Sequence, residues 1–341
     1  MTQIIVISVV AFLVVTLLLV GLLLFAKAKL TPSGVVKINI NNGSKVLEVA
    51  PGGSLLSTLG NEKIFLPSAC GGKGSCGQCK CRVISGGGTI LPTEVGFFNR
   101  KQILNNWRLG CQVKVKEDME IEVPESALSV KKWECEVISN RNVATFIKEF
   151  CVKIPDGETL NYRSGGYIQV DVPAMTVDYR NIDVDEQFRE DWEKMGVFNL
   201  KMVNPTPTLR AYSMATYPAE GNIIKLNVRI ATPPFDRVKG GFMDVNPGIA
   251  SSYIFSLKPG DKVIMSGPYG EFRPNYTSGR EMIWVGGGAG MAPLRAQIMH
   301  MLKTRQCRDR QMHYFYGARA LEEIPFLDDF LALEKEFDNF H

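Results

Sequence analysis

The sequence predicts a multidomain chain: an N-terminal transmembrane helix, a small β-rich unit with clustered cysteines, an antiparallel β-barrel, and the start of an α/β domain. Three observations predict it. The run Ile4–Ala26 carries no charge. Four cysteines, Cys70, Cys76, Cys79 and Cys111, bracket a glycine-rich loop. Short strand patterns then give way after Met282 to a strand, a glycine turn and a helix. A length of 341 residues suits two to three domains. The net charge of +4 is spread over many charges of both signs, so nucleic-acid binding is not implied.

As a helix, residues 4–26 span about 35 Å, against a hydrocarbon core of about 30 Å. No basic residue precedes the run, as one would in a signal peptide, while Lys27 and Lys29 follow it. Those lysines place the rest of the chain on the cytoplasmic side. With nothing ionisable inside, the helix is an anchor and not an ion path.

Residues 33–125 form the second unit. Val36–Ile40 and Val46–Val49 flank Asn42-Gly43, a hairpin pattern. A short helix is expected over 54–59, with strands over 81–84, 112–115 and 119–123. Glycines 71, 72, 74 and 77 permit the positive φ angles that a tight wrap of sulfurs around a metal centre needs. One CxxC, no nearby histidine and a distant fourth cysteine favour a [2Fe–2S] centre over structural zinc. Cys81, Cys135, Cys151 and Cys307 read as buried free thiols, with Cys81 also a substitute ligand. A reducing compartment fits.

Residues 130–275 carry strand patterns over 134–138, 144–152, 167–172, 223–230 and 262–266, separated by Gly and Pro turns, which suggests a small antiparallel barrel. Arg210, Tyr212 and Ser213 could clamp a phosphate, stack on a ring and hydrogen-bond it; an ordinary exposed strand is the alternative. Gly248, Ser251 and Ser252 open a helix-like stretch over 253–257, either an anion site or a simple cap. Gly267–Gly270 reads as a turn ending the barrel. The insertion 175–207 holds an acidic stretch, Asp185–Met195, read as a solvated helix in preference to a docking surface.

Residues 276–341 begin with Met282–Val285, read as a buried strand, running into Gly286, Gly287, Gly288, Gly290 and Pro293 before a helix over 294–302. That is a dinucleotide-phosphate arrangement, although not the standard GxGxxG. A second strand, 313–316, ends at Arg319. Glu322 and Glu323 would repel a 2′-phosphate and favour NADH, while Arg319 argues for NADPH. His300, His313 and His341 read as surface or packing residues.

The cysteine spacing resembles the C-x4-C-x2-C…C ferredoxin pattern with one extra residue, as in adrenodoxins, and the strand and helix order matches the β-grasp layout that ferredoxins use. RxYS at 210–213, the Gly/Ser helix start at 248–252 and GGGxGxxP at 286–293 resemble the ferredoxin–NADP reductase superfamily. That resemblance implies FAD on Arg210, Tyr212 and Ser213, with Ser213 near the flavin N5, and the flavin pyrophosphate on Ser251 and Ser252. With the anchor and acidic insertion, the whole chain resembles the family of F subunits of the bacterial Na⁺-translocating NADH:quinone oxidoreductases. This implies a single-pass inner-membrane protein that moves electrons from NADH through FAD and a [2Fe–2S] cluster to other membrane subunits, which pump Na⁺ and reduce ubiquinone. The rivals are a reductase component feeding an oxygenase, a tethered electron carrier with a vestigial flavin part, and a zinc-structured scaffold. Family members continue with further strands, a Cys-Gly-Pro-Pro nicotinamide contact and a final aromatic. This sequence ends in a helix-like acidic run after two strands, so a C-terminal truncation with an impaired NADH site is expected.

Overall fold

In the computed structural model, which describes residues 2–30, 34–238 and 240–341, the apolar N-terminal run forms one helix, α1 (Thr2–Leu30). Its described side chains are residues 7–22 and Phe25, all of them exposed, and all apolar apart from Ser8 and Thr16. The side chains of residues 4–6, 23, 24 and 26, and of Lys27 and Lys29, lie outside the described residues, as does residue 33. Among the described residues no helix is long and apolar enough to cross a membrane; residues 7–22 alone reach only about 24 Å.

Two compact units divide the chain. The first takes residues 1–66 and 77–125. Asn41 and Asn42, at φ 48° and 56°, turn β1 (Val36–Ile40) back onto β2 (Lys45–Val49). Ser54 caps α2 (Leu55–Asn61) by accepting the Ser57 N–H at 3.2 Å, and Leu55 and Leu59 fill the core. After β3 (Lys80–Ser85) come two short helices, α3 (Pro92–Val95) and α4 (Arg100–Leu104), then β4 (Trp107–Leu109) and β5 (Met119–Glu122). The sheet order is β2-β1-β5-β3-β4, with β1 and β5 parallel and the other pairs antiparallel. The strand expected over 112–115 is not formed. Its backbone instead meets the approach to α2, with Leu55 N–H on the Val113 carbonyl and Val115 N–H on that of Gly53, and only Ser54–Lys114 bridges.

The second unit takes residues 67–76 and 126–341. Following α5 (Glu125–Ser129), the long β6 (Lys131–Ala144) turns at Thr145–Phe146 into β7 (Ile147–Lys153), later than the pattern suggests. The main sheet adds β8 (Tyr167–Val172), while β9 (Met175–Asp178) and β10 (Lys201–Asn204) pair apart from it. Next come β11 (Thr208–Ser213) and β12 (Ile223–Arg229), a small hairpin of β13 (Phe235–Asp236) and β14 (Gly241–Phe242), and β15 (Lys262–Tyr269). The six-stranded order is β11-β8-β15-β6-β7-β12. Its two edges meet, because Met214 bridges Leu226 and the Ala215 N–H reaches the Lys225 carbonyl at 2.8 Å. Gly267–Gly270 is not a turn: β15 runs through to Tyr269, with its register against β8 shifting after Ser266.

The acidic insertion is helical, α6 (Glu186–Lys194), and its charged face is solvated as expected, but the helix is not solvated all round. Phe188 and Trp192 face inward, and the Trp192 indole N–H donates to the Thr145 carbonyl at 2.7 Å. Beyond α7 (Ile249–Ser256), β16 (Met282–Gly287) leads into α8 (Ala292–Met299) and then a parallel partner, β17 (Met312–Gly317). The strand expected as buried is covered on one side only: Trp284 packs inward, while Ile283 and Val285 are 59% and 74% exposed. The acidic run forms α9 (Leu327–Glu336), and the final residues leave the helix. Residues 339–341 line up parallel to β17, with Met312 N–H on the Asn339 carbonyl and Tyr314 N–H on that of His341, both at 2.8 Å.

Candidate redox site

The expected cysteines occur as two sulfur pairs. In the first unit, β3 and β4 set Lys80 opposite Leu109, which brings Cys79, just before β3, to Cys111, just after β4. The Cys111 thiol hydrogen-bonds Cys79 and, with burial, pushes its pKa up. The Gln112 side-chain amide points at the Cys111 sulfur, 3.8 Å away. In the second unit Cys70 pairs with Cys76. Burial raises the Cys70 thiol, but hydrogen bonds from the Ser75 N–H and from Cys76 outweigh it and hold the pKa at about 6. Glycines 71, 72, 74 and 77 all have positive φ, between 64° and 85°. A wrapped glycine loop with donors aimed at sulfur is the chemistry an iron–sulfur cluster asks of its ligands. Among the described residues no three His, Cys, Asp or Glu side chains are already gathered as a metal site.

Cys81 is the remaining thiol of this region. It is fully buried on β3 with its thiol toward the Arg108 carbonyl, and burial pushes its pKa up to about 12. Cys135 and Cys151 are likewise buried and raised, to about 12 and about 11.

Arg210, Tyr212 and Ser213 lie on β11, an edge of the six-stranded order, paired with Val170, Ile168 and Tyr167 of β8. Arg210 Nη1 donates to Thr208 Oγ1 at 3.0 Å and to the Leu209 carbonyl at 2.7 Å. Burial pushes the Tyr212 phenol up, whereas Ser213 is exposed. Gly248 caps α7 where a Cβ would come within 2.5 Å of the Ala231 Cβ. The two expected serines spend their hydroxyls internally. Ser251 Oγ donates to the Gly248 carbonyl and accepts the Ala231 N–H, both at 3.1 Å. Ser252 Oγ donates to the Gly248 carbonyl at 2.6 Å and meets the Tyr179 hydroxyl at 2.7 Å. An anion here would therefore meet the first backbone N–H groups of α7, not those hydroxyls. The far end of α7 is held by residues that the sequence pattern does not single out. Asn140 donates to the Ile254 and Leu257 carbonyls at 2.7 and 2.8 Å, and the buried Lys148, its pKa lowered by burial to about 8, donates to the Phe255 carbonyl at 3.5 Å and links it to the Asp183 carbonyl at 2.6 Å.

At the glycine turn, Gly286 and Gly287 close β16, Gly288 has φ +55°, Gly290 lies in the tight turn, and Pro293 sits in the first turn of α8. A Cβ at Gly286 would lie 2.7 Å from Leu294 Cδ1, so the tip of that side chain would have to shift to admit it. Glu323, expected to select against a 2′-phosphate, is instead bound to Thr145 through that residue's N–H and hydroxyl. Arg319 is exposed. His313 meets Glu281 at 2.9 Å, and His300 packs edge-on to Tyr276.

Residues 38–116, which contain all four cysteines, match the family of 2Fe-2S iron-sulfur cluster binding domains. Residues 195–273, which contain Arg210 through Ser252, match the oxidoreductase FAD-binding domain. The class is therefore an iron–sulfur flavin oxidoreductase. The F subunit of the Na(+)-translocating NADH-quinone reductase of Psychrobacter cryohalolentis is 52% identical over 94% of this chain and 77% of its own length. That of Neisseria meningitidis serogroup C is 52% identical over 98% and 81%. The chain belongs to the family of these F subunits. Among solved structures, the Amycolatopsis reductase GcoB (TM-score 0.58, 21% identical, 90% of this chain and 79% of that one) shares the fold. So does the ferredoxin reductase in carbazole 1,9a-dioxygenase (0.53, 20%, 90% and 78%).

Proposed function

We propose that the chain is the NADH-oxidising, electron-input subunit of a membrane sodium-pumping quinone reductase. The observation that carries this reading is membership of the family of F subunits over nearly the whole chain. Its domains are an anchor over 4–26, a cluster domain over 33–125, a barrel-like FAD domain over 130–275 and a nucleotide-binding part over 276–341. Cys70, Cys76, Cys79 and Cys111 hold the [2Fe–2S] cluster. Arg210 neutralises flavin phosphate, Tyr212 lies on the ring, and Ser213 offers its hydroxyl to the reacting edge. Gly248 lets the α7 backbone approach the pyrophosphate, with Ser251 and Ser252 holding that turn rigid from inside. Gly286, Gly287, Gly288, Gly290 and Pro293 present the α8 N-terminus to NADH. When bound, FAD accepts an electron pair as hydride and the cluster carries electrons one at a time.

The anchor reading rests on the uncharged run and the exposed apolar side chains of α1. It places the chain in the bacterial inner membrane with its bulk in the cytoplasm, beside the partner subunits that pass electrons on to ubiquinone. One measurement tests the whole assignment. Anaerobic protein is expected to show flavin and iron–sulfur absorption, to bleach with NADH, and to give a paramagnetic signal on reduction. A colourless protein, or an unchanged signal after any of the four cysteines is replaced by serine, would overturn it.

A further inference from the structure

Resting on the reading that Cys79 and Cys111 are cluster ligands, we propose that Glu94 with Arg108 is a positioning pair that sets the register delivering those two sulfurs. Strand β4 is three residues long and lies at the edge of its sheet. An edge strand has one row of backbone groups with no neighbouring strand to pair with. Glu94 supplies the missing partner. Its Oε1 accepts the Leu109 N–H at 2.8 Å. The same carboxylate accepts Arg108 Nε at 3.0 and 3.1 Å, Arg108 Nη2 at 2.8 Å, and the Leu91 N–H at 3.0 Å. Arg108 Nη1 goes on to the carbonyls of Gly87 and Gly88, at 2.8 and 3.0 Å. Both side chains are buried.

On the inner side of β4, the Gly110 N–H donates to the Cys79 carbonyl at 2.8 Å. Cys79 is thus tied to the residue next to Cys111 across one rung, and that rung is fixed from outside by the carboxylate on the neighbouring Leu109 N–H. A slip of one residue would turn every side chain of β4 to the other face and carry Cys111 away from Cys79. A three-residue ladder has few bonds to resist such a slip. A carboxylate locked by a fork of guanidinium N–H groups resists it well, because the fork fixes direction as well as distance.

The test uses the full chain, reconstituted anaerobically with ferrous iron and sulfide. Glu94→Asp keeps both charges but withdraws the carboxylate. The double variant Glu94→Gln/Arg108→Met removes both charges, so no buried charge is left alone to unfold the unit. Glu122→Gln, at the half-exposed Arg82–Glu122 pair of the same sheet, is the control. Both Glu94 variants are expected to lose iron to a chelator about ten- to a hundredfold faster and to shift the g-values of the reduced protein, with the control unchanged. Parent-like g-values and iron loss, or iron loss that merely tracks melting temperature, would overturn the proposal. If the double variant does not fold, Glu94→Asp decides. A parent chain that takes up no cluster would overturn the reading of the four cysteines, and the proposal with it.

Discussion

The six-stranded sheet and the β16–β17 pair lie in the same unit but are built on opposite terms. The first closes on itself through Met214–Leu226, and its strands bury Phe150, Val170, Leu226 and Val263. The second has one covered face, where Trp284 and Met312 pack with Leu333 and Phe337, and one bare face bearing Ile283, Val285 and Phe315. The closed sheet offers a rigid edge on which Arg210 to Ser213 can be held. The open pair depends on outside ties for its position. Arg295, on α8, is the chief of these ties: its guanidinium donates to the Ala215 carbonyl at 2.8 Å and to Glu220 at 3.1 and 3.2 Å. Glu220 in turn holds Lys225 of β12 at 3.0 Å.

The largest effect is expected in the core of the closed region. Trp192→Ala removes a fully buried indole that stacks on Phe255 with centroids 6.0 Å apart and donates to Thr145. A loss of about 3–5 kcal/mol is expected, measured by chemical unfolding. A loss under about 1 kcal/mol would mean that α6 is peripheral after all and that the closed core ends without it. Next is the tie itself. Arg295→Met strips Glu220 of its main partner but leaves Lys225, so about 2–4 kcal/mol is expected, below the usual cost of breaking a buried pair. Burial opposes ionisation of Glu220, yet the hydrogen bond and charge of Arg295, helped by Lys225, outweigh it and leave the pKa lowered. A folded-state pKa below the unfolded one contributes stability above the ordinary carboxylate range and loses it as pH falls through the folded value. The gap between parent and Arg295→Met should therefore be full at neutral pH and shrink below about pH 4. The Arg295 guanidinium also lies over the Phe326 ring, 4.9 Å from its centroid, and a gap that stays constant with pH would show that Arg295 acts through that contact and not through Glu220.

What the sequence discloses follows the same division. The strands of the closed sheet are legible because alternation and turn residues are local facts, although β15 runs through Gly267 and β6 runs on to Ala144. In β16 every residue from Met282 to Val285 is apolar, so the pattern reads as buried on both faces. Which face is covered depends on α8 and α9, which no window around β16 contains. Trp192 misleads in the opposite way, since the charges around it describe the outer face of α6 and conceal the inner one. The four cysteines are legible by spacing, but their division into two pairs is not. Glu94 and Arg108 escape notice altogether, because two charged residues fourteen apart read as surface.

Smaller effects sharpen the contrast at the open pair. Gly286→Ala places a methyl 2.7 Å from Leu294, between β16 and the first turn of α8. The tip of Leu294 must give way to admit the carbon, so overpacking at the low end of about 1–3 kcal/mol is expected, together with weaker NADH binding by titration where that shift disturbs the first turn of α8. If stability falls and NADH affinity does not, the glycine turn is a packing device only.

The smallest change is the most diagnostic. Val285 is 74% exposed on the bare face, two residues from Gly287. Substituting threonine there keeps the branched shape that suits a strand and adds one hydroxyl, which water can satisfy. On an open face this should alter unfolding free energy by no more than about 0.5 kcal/mol. A buried hydroxyl without a partner would instead cost about 1–3 kcal/mol. The two outcomes separate cleanly in chemical unfolding at several protein concentrations. A penalty in the higher range that appears only at high concentration would mean that a second copy covers the face. A penalty at every concentration would mean that the chain covers it itself, and the distinction between closed and open sheets would fail.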